Sequence, residues 1–397
     1  MMIKFLHKNK HNLEKWIVGL LFFVMIFYPA FSSYVIILFI LTLIVNHKLS
    51  LRYQSTIGNY LLVIFYFLNL ISFFWSENKS SAIFDLEIKF SLLLFPVIFS
   101  YLIYSKYSIL SLMLTSFKIS ILIGTLLLLR SIFNYILFNQ FLTYNDYTVN
   151  MHPTYFSMYF VLFISFLLFS KIRIKPFLHA FYFFVLTLNV LLSSSKAGII
   201  SLLFIILIYF VKKYKLKSIL YSLLLLFGLY ILLYKTNYLL FISDRIRTSQ
   251  EIVLNFLHHK KLRLESNSIR LYAWKASINI IKENYLLGVG IGDVHTCLNN
   301  YFINQRLDEL SQKNINAHNT FLQIWLGIGV LGLIIFMWYL IHLIFEAYKH
   351  KIYSIVVFLI SISLFIFTTE SVLETQAGTI FLGLVFSLIN KYLYYDL

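Results

Sequence analysis

Long apolar runs follow one another along most of the 397-residue chain. Within each run the apolar residues are continuous and do not alternate with polar ones, which favours membrane-spanning helices over the strands of a β-barrel. With only four prolines and thirteen glycines, little in the sequence interrupts such helices. The chain is therefore expected to be all-α, a polytopic integral membrane helical bundle of about twelve transmembrane helices. The predicted spans are 16–31, 33–46, 57–75, 87–104, 119–138, 154–170, 177–193, 197–211, 218–234, 319–345, 352–368 and 376–392.

One long polar stretch separates the ninth predicted span from the tenth. It contains the amphipathic pattern of a helix from Ile269 to Lys282, preceded by two candidate N-cap residues, Asn267 and Ser268. The stretch divides the chain into three predicted parts. These are about nine N-terminal transmembrane helices at 1–234, a periplasmic loop containing helices at 235–317, and about three C-terminal transmembrane helices at 318–397.

Composition and charge support this topology. Hydrophobic residues make up 60% of the chain and charged residues only 12%, whereas soluble proteins carry roughly 25% charged residues. If the N-terminus is cytoplasmic, eighteen lysines and arginines fall on the cytoplasmic side and four in the short segments of the other side. The positive-inside rule then predicts that both termini are cytoplasmic and that the long loop is periplasmic, in a bacterial inner membrane.

The net charge of +17 is explained by this orientation, so membrane lipid rather than nucleic acid is the expected surrounding. The single cysteine, Cys297, excludes a disulfide within the chain. No Cys/His cluster has the spacing of metal ligands, and neither a metal nor a cofactor is expected.

His318 is the first candidate for chemistry, because it lies where the predicted loop re-enters the membrane. A neutral imidazole there can accept the proton of a sugar hydroxyl near pH 7. Asn319, at the same helix end, is a candidate for substrate binding. The competing interpretation is an interfacial histidine that only caps a helix.

Two cations are predicted on the same side. Arg270 sits in the first turn of the predicted loop helix, where unpaired N–H groups and a guanidinium fork together suit a diphosphate. Lys196 lies in a Ser-Ser-Ser-Lys turn between two spans, against the positive-inside bias. The alternatives are a solvated surface arginine and a lysine that reaches lipid phosphates.

Further substrate contacts are expected from Arg245 and Arg247, at the start of the loop, and from Glu370, in the last periplasmic segment. The arginines suit phosphate and the carboxylate suits acceptor hydroxyls, although ordinary solvent exposure explains all three. Lys196, Arg270 and His318 form the more coherent set. Two cations can hold a leaving diphosphate while a base deprotonates the attacking hydroxyl.

These residues resemble the core domain of the O-antigen ligase/polymerase family of bacterial membrane glycan transferases. The helix count and the orientation agree as well. The resemblance is carried by Arg270 followed by Trp274, Gly288-Val289-Gly290, Ala317-His318-Asn319, Gly329-Val330-Leu331-Gly332, and a Ser195-Lys196 turn in place of the family's Ser-Arg.

The resemblance implies a metal-independent glycosyltransferase that acts in the periplasm. The donor would be a glycan on undecaprenyl diphosphate, and in a ligase the acceptor would be lipid A–core oligosaccharide. His318 would activate the acceptor hydroxyl, and Arg270 and Lys196 would hold the diphosphate. Lysine at 196 keeps the charge but lacks the bidentate fork of arginine, so a looser diphosphate contact is expected there.

Two other functions stay open. A polymerase of the same family would join lipid-linked repeat units, with another glycan as the acceptor. The spacing of His318, Asn319, Gly329 and Gly332 is more similar to the ligase branch. A transporter or flippase would place ionisable residues near the bilayer midplane and show repeated halves. In this sequence the charges cluster at helix ends, and the single long loop makes the halves unlike.

Overall fold

The computed structural model describes residues 2–46, 56–101, 106–170, 174–214 and 265–394. The predicted ninth span and the first part of the predicted loop, including Arg245 and Arg247, lie outside the described residues. Every regular element within the described ranges is helical, which confirms the all-α class.

The helices are α1 (Met2–Phe27), α2 (Ser32–Asn46), α3 (Ile57–Ser72), α4 (Lys79–Lys89), α5 (Ser91–Tyr101), α6 (Lys106–Phe138), α7 (Tyr144–Thr148), α8 (Pro153–Phe169), α9 (Pro176–Leu192), α10 (Lys196–Tyr214), α11 (Ser266–Glu283), α12 (Val294–Asn304), α13 (Asp308–Ser311), α14 (Thr320–Lys349), α15 (Tyr353–Ser361) and α16 (Gln376–Tyr394). A π-helical turn, Ile362–Ile366, extends α15, and 3₁₀ turns lie at Pro29–Phe31 and Val372–Glu374.

Two of the described helical stretches are long and apolar enough to cross a membrane, Ile109–Phe138 and Thr320–Lys349. Other apolar helices are shorter: Pro29–Val45, Ile57–Ser72, Pro153–Phe169, Pro176–Leu192 and Tyr353–Ile366. The positions of these helices agree with the apolar runs of the sequence. The count of about twelve crossings, the periplasmic loop and the orientation stay predictions.

The predicted span 319–345 is not one continuous helix. Gly329 breaks α14 with φ 74° and ψ −174°, a left-handed conformation that favours glycine. The turn that follows α11 packs into this break, and its amides take the place of the interrupted helical hydrogen bonds. Val289 N donates to Leu326 O at 2.8 Å, and Gly290 N donates to Gly327 O at 3.0 Å. The part of α14 before Gly329, about its first third, is therefore a short separate helix.

The predicted span 87–104 is also divided, because α4 ends at Lys89 and α5 begins at Ser91. Lys89 is only 3% exposed and pairs with two carboxylates, Asp85 at 3.3 Å and Glu374 at 2.9 Å. The second pair joins α4 to the 3₁₀ turn before α16. This buried ion cluster fixes the segment that carries Glu370.

The part of the described chain between α11 and α14 has a small core of its own. Ala273, Ala276 and Ile281 of α11 pack with Leu298 and Phe302 of α12 and with residues from α13 and α14. The predicted helix over Ile269–Lys282 is confirmed as α11, but its predicted caps are wrong. The N-cap is Glu265, whose side chain accepts from the backbone of Ser268 while Ser268 Oγ accepts from Glu265 N at 2.8 Å. The cap lies two to three residues earlier than expected, at a glutamate, which is an uncommon N-cap.

The larger core lies among the apolar helices. In it α8 packs against α9, α10 and α15, α5 packs against α16 and α3, and α14 packs against α3 and α15. As a result, the beginnings of α8, α10, α11 and α14 come together around the segment 368–371.

Candidate functional site

A cavity of about 90 Å³ lies where α8, α10 and α11 begin. Each helix presents its first turn to this space, so the positive ends of three helix dipoles face a common point. Such an arrangement attracts an anion. The lining residues are Tyr144, His152, Thr154, Ser194, Ser195, Lys196, Ala197, Ser266, Asn267, Arg270 and Thr369.

Both predicted diphosphate residues line the cavity. Lys196 is exposed there at the first position of α10. Arg270, in the second turn of α11, is more enclosed, with its side chain 20% exposed. The structure therefore brings together two cations that are separated by more than seventy residues in the sequence.

The guanidinium of Arg270 is held by its surroundings. Nε donates to Thr369 O at 3.0 Å, Nη2 donates to Glu370 Oε1 at 2.6 Å, and Nη1 donates to both the carbonyl and the hydroxyl of Ser266. These bonds use all but one of its N–H groups. The side chain is thus rigidly placed but has one N–H to offer a ligand, whereas a bidentate contact would need two.

Glu370 lies between the arginine and the histidine. It is 5% exposed, and its Oε2 is 3.6 Å from His318 Nδ1 while its Oε1 bonds Arg270. Burial by itself would raise the pKa of Glu370, but the adjacent His318 ring and the Arg270 charge outweigh burial and lower the pKa to about 2. Glu370 is therefore a buried carboxylate facing protein groups, and the structure does not present it as an open loop residue.

His318 has an unusual backbone conformation, with φ +45°. A left-handed conformation is costly for a residue with a Cβ and persists where the surroundings enforce it. Asn316 Oδ1 accepts from His318 N at 2.9 Å, and Trp274 Nε1 donates to His318 O at 3.2 Å. Nδ1 is buried and faces Glu370, while the side chain as a whole is 27% exposed. The ring is thus open to ligands on the edge away from Glu370.

Asn319 is the N-cap of α14. Its Oδ1 accepts from Phe321 N and Leu322 N at 2.9 and 3.0 Å, and its Nδ2 donates to Thr368 O at 3.1 Å. Both ends of the amide are engaged in holding the helix start to the Glu370 segment. The structure gives Asn319 a capping position beside His318.

A chain of hydroxyl groups connects the Ser-Lys turn to the same carboxylate. Ser195 Oγ donates to Thr154 Oγ1 at 3.3 Å, and Thr154 Oγ1 donates to Glu370 Oε1 at 3.5 Å. Glu370 therefore contacts residues from α8 and α11 directly and the turn before α10 through Thr154. In the described part of the chain, no three His, Cys, Asp or Glu side chains are grouped as metal ligands.

Residues 181–337, about two fifths of the chain, match the sequence model of the O-antigen ligase family. The resemblance to that family is confirmed. The O-antigen ligase family covers ligases and polymerases, membrane-associated enzymes of the glycosyltransferase type that take part in polysaccharide biosynthesis. A search of curated proteins found no match.

The match to the O-antigen ligase family includes Lys196, Arg270 and His318. Several residues of the site lie outside it, among them His152 and Glu370. Sequence reasoning placed Glu370 on the same side as Arg270 and His318 but not at the centre of the cluster, and it did not select His152. The available signal for His152 was a histidine directly before a proline at a helix start, which capping alone also explains.

Proposed function

We propose that the chain is an O-antigen ligase-like glycosyltransferase. It would transfer a glycan from undecaprenyl diphosphate to a sugar hydroxyl of lipid A–core, on the periplasmic side of a bacterial inner membrane, with both chain termini cytoplasmic. The observation that carries the proposal is the cluster itself. A cation-lined cavity at three helix starts lies beside a histidine whose Nδ1 faces a buried carboxylate.

The diphosphate of the donor fits the cavity because its charge is opposite to that of the walls. Lys196 reaches the rim, and Arg270 contributes its charge and its remaining N–H. The positive ends of α8, α10 and α11 add to this field. Binding there would leave the first sugar, attached to the outer phosphate, next to the cluster.

His318 is assigned as the general base. Glu370 favours a proton on Nδ1 of the imidazole, which leaves the lone pair on Nε2 for the acceptor. Nε2 takes the proton of the acceptor hydroxyl as its oxygen bonds to the anomeric carbon. The bond between that carbon and the diphosphate oxygen breaks, and undecaprenyl diphosphate leaves with the electron pair. The proposed step is independent of metal ions and cofactors.

Glu370 is assigned a positioning role in place of acceptor binding. Its carboxylate orients the His318 ring and holds Arg270 at the same time, so base and cation keep a fixed relation. Asn319 serves the same purpose by fixing the start of α14. Arg245 and Arg247 remain candidates for additional phosphate contacts.

The proposal is tested in a strain that lacks the gene, complemented with wild type, with His318→Ala, or with His179→Ala. His179 is in the first turn of α9, at the end of that helix away from the Ser-Lys turn, and it serves as the matched control. The readout is a gel of surface glycolipids together with protein level in the membrane.

His318→Ala is expected to give bare core lipid while polymer accumulates on the carrier, and His179→Ala is expected to give the wild-type pattern. Core lipid carrying a single repeat unit would instead assign the chain to the polymerases. Full transfer activity in His318→Ala would show that His318 is not the general base, and the proposed mechanism would then be wrong.

A further inference from the structure

A diphosphate has several acceptor oxygens, and the two cations that line the cavity are its first donors. Arg270 has one N–H left, because Thr369, Glu370 and Ser266 take the others. Lys196 is an exposed side chain on the rim, and its ammonium is a point charge on a four-carbon stem that sets no fixed direction for a ligand. A diphosphate held in one orientation needs a further donor on a rigid element, and the following inference rests on the proposed function.

His152 occupies that position. It is the residue immediately before α8, it lines the cavity with Lys196 and Arg270, and it is solvent-accessible. Its backbone is fixed by Pro153 at the first helical position, and its ring lies 5.5 Å from the ring of Tyr155. The side chain is therefore placed by the start of a helix and not by a long flexible stem.

The hydrogen bonding of the ring identifies its tautomer. Nδ1 of His152 accepts from Thr154 N at 3.4 Å, which requires a lone pair on Nδ1. In a neutral imidazole the proton is then on Nε2. The cavity walls partly desolvate the ring and, despite the opposing charge of Glu370, lower the pKa of His152 below its ordinary value. Near pH 7 the ring is thus a neutral donor through Nε2.

We propose that His152 is a phosphate-binding residue that donates a hydrogen bond from Nε2 to a phosphate oxygen of the polyprenyl diphosphate. This hydrogen bond would help to orient the diphosphate between the two cations without adding a further positive charge. No bond to the substrate is made or broken by His152, so its loss should weaken donor binding and leave the proton transfer at His318 in place.

Two substitutions separate this role from helix capping. His152→Asn keeps an acceptor for Thr154 N, since asparagine is a favourable N-cap, but has no group at the position of Nε2. His152→Gln has an amide N–H at about the reach of Nε2 but is a poorer cap. Each purified full-length protein is titrated in detergent with undecaprenyl diphosphate, with undecaprenol as the uncharged control, and its thermal unfolding is recorded.

His152→Asn is expected to unfold like wild type and to bind undecaprenyl diphosphate about tenfold more weakly, the effect of one hydrogen bond to a charged group. His152→Gln is expected to stay within about threefold of wild-type affinity even if it unfolds earlier. Wild-type affinity in His152→Asn would overturn the inference. An equal loss of affinity in both variants would overturn it as well, because binding would then depend on the imidazole ring itself and not on an N–H donor at the position of Nε2. If wild type itself does not bind undecaprenyl diphosphate in preference to undecaprenol, the proposed function fails as well, so the two failures are distinguishable.

Discussion

Glu370→Gln is the substitution that tests the centre of the site most directly. It keeps the size of the side chain and removes the charge that faces Arg270 and His318. We expect a less stable protein with strongly reduced transfer, because Arg270 loses its only ion-pair partner seen in the described residues and the imidazole loses its orienting group.

The magnitude follows from the pKa of Glu370. Its lowering from 4.5 to about 2 corresponds to about 3 kcal/mol of preferential stabilisation of the ionised form, at roughly 1.4 kcal/mol per unit. The carboxylate is nearly fully buried, so little of this is lost to solvent screening. In a chain of this size about 3 kcal/mol lowers the midpoint of thermal unfolding by roughly 3–6 °C.

The sign of the pH dependence is fixed by the direction of the shift. A carboxyl whose folded pKa is depressed stabilises the fold above its unfolded pKa, and this stabilisation is lost as pH falls through the folded value. The difference between wild type and Glu370→Gln should therefore be complete at pH 7 and should shrink as pH is lowered from about 4.5 towards about 2.

The assay is thermal unfolding of the purified proteins in detergent at pH 7 and at pH 3, with transfer activity measured at pH 7. Glu309→Gln removes an equal charge from an exposed position on α13 and serves as the control, with an expected change within about 0.5 kcal/mol. A Glu370→Gln protein that unfolds and transfers like wild type would refute the reasoning. A stability loss independent of pH would show that the side chain acts through packing and not through charge.

Three further substitutions test separate parts of the structure. Lys89→Met should lower the free energy of unfolding by about 3–5 kcal/mol, because the carboxylates of Asp85 and Glu374 lose their cation. Adding Glu374→Gln should recover part of that loss. If the two stability losses simply add in the double mutant, the ion cluster is contradicted. Gly329→Ala should lower the midpoint of thermal unfolding and the activity, because φ is +74° and Leu286 O lies where the Cβ would be. Gly327→Ala should lower both only slightly, since an added Cβ there makes ordinary contacts. Equal effects of the two substitutions would argue against a specific break at 329. Lys196→Arg should retain affinity for undecaprenyl diphosphate in a detergent titration and Lys196→Ala should lose about tenfold, and a Lys196→Ala protein with unchanged affinity would remove the lysine from the site.

The helices could be predicted from the sequence because an apolar run of helical length indicates the local structure directly. The breaks within the predicted spans could not be predicted. Nothing near Gly329 marks it as an interruption, since glycine also occurs at 327 and 332. What selects position 329 is the turn at Val289 and Gly290, forty residues earlier, whose amides bond the freed carbonyls of α14. A contact of that kind is a property of the tertiary fold.

The site was predictable to the extent that it follows from topology. Placing Lys196, Arg270 and His318 at helix ends on one side of the bundle was enough to propose their proximity. The role of Glu370 was not predictable, because a carboxylate in a short polar segment looks solvated until its neighbours are known. Its burial depends on Arg270 and His318 closing over it, and those contacts span about a hundred and about fifty residues.

The charge of the cavity bears on the lysine of the Ser195-Lys196 turn, which resembles a Ser-Arg turn of the O-antigen ligase family. Glu370 cancels one of the two formal positive charges, so Lys196 and Arg270 together leave a net charge of about +1 near the ligand. Three helix starts contribute roughly half a charge each, which brings the total close to the two negative charges of a diphosphate diester. Part of the attraction then comes from the helix starts themselves and does not depend on the side chain at position 196. In the proposed site the cation at 196 needs only to be present near the rim, because Arg270 and His152 are the donors proposed to give direction. Loss of the arginine fork at 196 is tolerable in such a site, whereas a change that moves the start of α8, α10 or α11 is not.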